Sequence, residues 1–125
     1  MTEEKCLCES TEILIFPCSG GSNVGQIANE AAKNITTLGH GKMYCLAGIG
    51  GHISGITEST KTAKKLVAID GCPVSCAKKT LEHAGFKPDV HVVVNDLDIK
   101  KNYDFMMDVD EIKKVTDKVI DKLQK

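Results

Sequence analysis

Arginine is absent from these 125 residues. A cysteine-dependent phosphatase loop, or any site that clamps phosphate with a planar bidentate donor, is therefore disfavoured. Excess charge of either sign is also lacking, with 16 lysines against 17 aspartates and glutamates. No global field marks a nucleic-acid or membrane-surface partner, so the expectation is no nucleic acid and no membrane, with any protein partner unspecified. No apolar run approaches a membrane span, and Met1-Thr2-Glu3-Glu4-Lys5 is acidic and polar rather than the start of a secretion signal. A cytoplasmic protein is expected. Nucleotide motifs are missing too: Gly20, Gly21 and Gly25 do not have the spacing of the dinucleotide fingerprint, and no Gly-Lys-Ser/Thr follows. Tight turns explain these glycines, although a backbone nest for a small anion is compatible with them.

Six cysteines are present. A chain of this length buries enough surface to fold without disulfide staples, so the cysteines need another explanation. In a reducing compartment they are available to metals or redox chemistry. Residues 1–9 read as a polar lead-in carrying Cys6 and Cys8 outside any apolar period, and residues 10–125 as a single domain.

The runs Glu12-Ile13-Leu14-Ile15-Phe16, Lys42-Met43-Tyr44-Cys45-Leu46-Ala47, Lys65-Leu66-Val67-Ala68-Ile69 and Val90-His91-Val92-Val93-Val94 read as strands. Helical periodicity lies between and after them. Val24, Ile27, Ala28, Ala31, Ala32, Ile35 and Leu38 mark one helix, capped by Ser22 or Asn23 and stopped by Gly39. A short helix is expected from Ile53, Ile56 and Ala63, with Thr57 as its cap. Another carries Val74, Ala77, Leu81 and Ala84 inward and stops at Gly85. A last one, with Asp108 and Glu111 in capping-box spacing, buries Ile112, Val115, Val119 and Leu123. Alternating strands and helices imply a three-layer, Rossmann-like or flavodoxin-like α/β domain with a mostly parallel four-stranded sheet. The strand order 2-1-3-4 places the first strand inside, at a switch point.

The third strand runs into Asp70-Gly71-Cys72-Pro73-Val74-Ser75-Cys76. Pro73 suits the first position of a helix, which makes Cys72 the expected N-cap and puts Cys76 one turn inside on the same face. Cys18 and Cys45 lie near the carboxyl ends of the first two strands. Neighbouring strands are ~4.8 Å apart, so sulfurs from three loops at one edge can reach one ion at ~2.3 Å. Each has a plainer explanation: Cys45 as a core residue inside a strand, Cys18 as packing after Pro17. A zinc ribbon is excluded, because paired CxxC knuckles are missing. His52, on the same edge, is a candidate ligand or proton carrier but more simply faces solvent; His40, His83 and His91 read as turn, helix-end and strand residues. Asp70 either orients a ligand through a hydrogen bond or stabilises the turn.

The Asp70-Gly71-Cys72 motif, with Pro17-Cys18-Ser19-Gly20, Cys45 and Cys76, resembles the DGC-domain proteins, a family described as zinc-binding. The resemblance spans the first strand to the last helix and implies four metal-chelating cysteines: Cys18, Cys45, Cys72 and Cys76. Cys6 and Cys8 lie outside that set. The expected cofactor is therefore Zn2+, in a closed four-thiolate site with a structural, storage or transfer role. The alternatives are an iron–sulfur cluster, metal-free sulfur transfer or thiol–disulfide exchange with Cys72 the favoured nucleophile, and an interaction domain in which the cysteines are incidental.

Overall fold

The computed structural model describes residues 12–125; Cys6 and Cys8 lie outside the described residues. Strand β1 (Ile13–Pro17) is followed by α1 (Asn23–Thr37), β2 (Lys42–Met43), α2 (Leu46–Gly50), α3 (Ser54–Lys61), β3 (Lys65–Asp70), α4 (Cys76–His83), β4 (Val90–Val93), a 3-10 turn over Val94–Leu97, and α5 (Val109–Leu123). All pairings in the sheet are parallel and the order is β2-β1-β3-β4. This is the expected α/β fold with β1 interior.

Alternation along the strands divides the core in two. Ile15, Val67, Ile69 and Val92 face α1 and α5, where the small Ala28, Ala31 and Ala32 bring α1 close to the sheet. Leu14, Phe16, Leu66 and Ala68 face the opposite side, packed by Ile49 of α2 and by Ala77 and Leu81 of α4. The helix ends follow local chemistry. Ser22 caps α1 by accepting the Gly25 N–H at 3.2 Å, and Asp108 caps α5 by accepting the Asp110 N–H at 2.8 Å. Gly39 and Gly85 follow α1 and α4 at φ +83° and +92°, values a side chain disfavours.

Two boundaries differ from expectation. The second strand was expected to run through Ala47, but it pairs only at Lys42 and Met43 and is followed by a helical turn with Cys45 as its N-cap. Folding back there buries Ile49 completely in the second core, and Gly48 provides the space that the Ile56 side chain occupies. Cys45 is thereby exposed rather than a strand-core residue. Similarly, α4 begins at Cys76 and not at Pro73. The Ser75 N–H donates to the Cys72 carbonyl at 3.0 Å, so Pro73 occupies the second position of a β-turn, where its fixed φ is equally suited. Val74 is consequently exposed. Leu38, expected on the buried stripe of α1, is that helix's C-cap and faces solvent, and Thr57, expected as a cap, lies inside α3, whose N-cap is Ile53. Cys72 lies in the turn and Cys76 is the first helical residue, so the two sulfurs do not share a helix face.

Candidate thiol site

Parallel strands deliver Cys18, the Cys72 turn and Cys76 to the carboxyl edge of the sheet, and Cys45 to the loop just beyond β2. Cys18 extends the β1–β3 ladder, its N–H donating to the Ile69 carbonyl at 2.9 Å. Its half-buried sulfur lies where three segments meet. Burial pushes the Cys18 thiol pKa up; the backbone N–H groups of Gly20 and Gly71 oppose that rise, while the charges of Asp70 and Cys76 add to it. The same residues show how near the loops after β1 and β3 come to each other. Their approach is set by glycine: a Cβ on Gly71 would stand 2.7 Å from the Gly25 nitrogen, and one on Gly25 would stand 2.6 Å from the Gly20 nitrogen. Close backbone packing, rather than a positive φ, demands these two glycines.

Cys18, Cys45 and Cys76 line one open cavity of about 520 Å3, with Pro17, Tyr44 and Thr80 among its other walls. Tyr44 is braced edge-on against the buried Phe16 ring, their centroids 5.9 Å apart. Cys72 is not part of that lining. It packs against the α1/α5 core, and the Lys101 Nζ lies 3.9 Å from its sulfur. Among the described residues no three His, Cys, Asp or Glu side chains are drawn together as a metal cluster. The structure therefore brings three of the four expected thiols to one cavity and leaves the fourth outside its lining.

Asp70 acts on the helix that starts with Cys76. Ser75, the N-cap of α4, has a left-handed backbone and makes no side-chain capping bond. The Asp70 carboxylate substitutes for it, accepting the N–H groups of Ala77 at 2.6 Å and Lys78 at 3.1 Å while lying 2.9 Å from His91 Nε2. Asp70 is 1% exposed, and three partners are what make a buried carboxylate tenable. His91 was read from the sequence only as a strand residue. The available signal was a histidine within an apolar strand, pointing to the α4 side as Asp70 does. Lys101 had no such signal, because only the fold brings its loop across the sheet edge. Asn23 holds that loop: its Nδ2 donates to the Lys100 carbonyl at 2.8 Å and its Oδ1 accepts the Asn102 N–H at 2.6 Å.

The model of the DGC domain matches residues 14–119. The chain belongs to the DGC-domain family. All four cysteines of the carboxyl edge fall within the match, while Cys6 and Cys8 lie before it. A relative from Pseudomonas aeruginosa, the anaerobic and virulence modulator AnvM, is 33% identical over 90 residues, covering 72% of this chain and 69% of that protein. No solved structure matches the chain. No described helix of this DGC domain is long and apolar enough to cross a membrane.

Exposure gives the thiols of the DGC domain an expected order of reactivity. Cys45 and Cys76 are exposed, whereas Cys18 is half-buried and burial pushes its thiol pKa up. In metal-free protein, iodoacetamide should modify Cys45 and Cys76 severalfold faster than Cys18, measured by peptide mass spectrometry over time. Equal rates at Cys18 and Cys45 would contradict this geometry.

Proposed function

We propose that this DGC domain binds a thiophilic divalent ion, Zn2+ in first place, through the thiolates of Cys18, Cys45, Cys72 and Cys76. The observation that carries the reading is the shared cavity of Cys18, Cys45 and Cys76, three soft donors delivered by three different segments. Cys72, half-buried, sits four residues before Cys76 at the start of the turn and is the natural fourth donor. A bound zinc ion supplies a fixed positive charge that favours ionised thiolates and ties the loops together. Four sulfurs leave no open coordination position for hydrolysis, so the site serves structure, storage, transfer or sensing. The name of AnvM, an anaerobic and virulence modulator, accords with a regulatory use of such thiolates. All four described cysteines are free thiols, which suits a reducing, cytoplasmic setting.

One observation favours a second reading. Cys72 stands apart from the cavity with an ammonium 3.9 Å from its sulfur, an arrangement suited to a nucleophilic thiol in metal-free sulfur transfer or exchange. Metal analysis of protein purified without oxygen, extended to the four Cys→Ser variants, separates the two. Zinc binding by four thiolates predicts that each variant loses affinity to a similar extent, beyond the roughly 10–100-fold that loss of an outer hydrogen-bond partner costs. Zinc retained in the Cys18→Ser and Cys45→Ser variants, with loss only at Cys72 and Cys76, would overturn the four-cysteine site. A brown protein containing iron and sulfide would replace zinc with a cluster.

A further inference from the structure

A pair of metal-ligating side chains meets where the end of α4 approaches the turn after α2. His83 ends the helix and lies over His52, which follows α2; their ring centroids are 5.5 Å apart and the planes are inclined by 53°. An imidazole nitrogen lies roughly 1.1 Å from its ring centre and about 2.0–2.1 Å from zinc, so two imidazoles on one tetrahedral ion have centres roughly 5.2 Å apart. The observed spacing is close to that value. His52 is also held at φ +55°, a left-handed backbone that non-glycine residues rarely adopt. By contrast with His91, which is engaged by Asp70, neither ring has a carboxylate partner among the described residues. His83, Thr80 and Cys76 line a groove of about 390 Å3 that shares Cys76 and Thr80 with the thiol cavity.

We propose that His52 and His83 form a two-imidazole site for a borderline divalent cation such as Zn2+, with water completing the coordination. Both side chains are exposed, so the rings can turn their nitrogens to a common point, and two open positions make the ion exchangeable. Lys79, on the same groove, is the adverse charge that keeps the site weak. The inference stands apart from the thiolate reading, because its donors are nitrogens and its test reads the histidines directly.

The test is zinc titration of the full chain, beyond any amount taken by the cysteines, followed by the side-chain NMR resonances of all four histidines. The His52 and His83 resonances should shift or broaden together, while His40 and His91 serve as internal references. His83→Gln should abolish the response of His52, and His52→Asn, which tolerates the left-handed backbone, should abolish that of His83. No movement of the His52 and His83 resonances up to about 1 mM zinc, or an unchanged His52 response in the His83→Gln variant, would overturn the site.

Discussion

Replacing Asp70 by Ala should destabilise the domain by about 3 kcal/mol, measured as the change in unfolding free energy in urea. The carboxylate is buried and accepts from two backbone N–H groups at the start of α4, at 2.6 and 3.1 Å, in addition to its contact with His91. Removing it leaves the N–H groups of Ala77 and Lys78 without their acceptor at a helix terminus whose own N-cap residue supplies none. Asp70→Asn should lose less: its one oxygen still accepts, but its amide nitrogen turns a donor toward a donor. His91→Ala, which removes one partly exposed contact, should cost only about 1 kcal/mol. Because Cys76 is the first residue of the helix, the Asp70→Ala variant should also label faster at Cys76 than wild type. Stability within about 0.5 kcal/mol of wild type would show that Asp70 does not cap α4.

Gly71→Ala should cost about 1–3 kcal/mol, through overpacking rather than a lost contact. The added Cβ would lie 2.7 Å from the Gly25 nitrogen and 2.8 Å from the Val24 carbonyl carbon. These are backbone atoms of the first turn of α1, which cannot step aside as a side-chain end would. The Gly71 carbonyl accepts the Asn95 N–H at 3.0 Å, so a shift of the loop also strains its tie to the residues after β4. A separation of the β1 and β3 loops would move Cys72 away from Cys18 and lower zinc retention along with stability. Gly21→Ala is the control, since its Cβ would meet nothing within 4 Å, and its effect should stay within about 0.5 kcal/mol. Equal unfolding midpoints for the two variants would refute the close-packing role of Gly71.

What the sequence determined was whatever rests on short-range pattern. The fully apolar strands announced a sheet covered on both faces, and the periodic runs in α1 and α5 identified their buried stripes, with Ser22, Gly39 and Asp108 marking the ends. Alternating strands and helices then implied a parallel sheet, and parallel connections put the cysteine-bearing loops near one edge. The tertiary structure decided matters in which several local solutions are close in energy. Pro73 fits the start of a helix and the second position of a β-turn equally well, and the turn was selected where Asp70, already fixed at the end of β3, could cap a helix beginning at Cys76. The Cys45 segment has the composition of a strand, yet burial of Ile49 folds it into a helical turn. The Asp70–His91, Lys101–Cys72 and His52–His83 pairs join residues 21 to 31 positions apart. No local periodicity encodes such pairs, because their proximity is created only when the sheet is assembled and the loops pack across its edge.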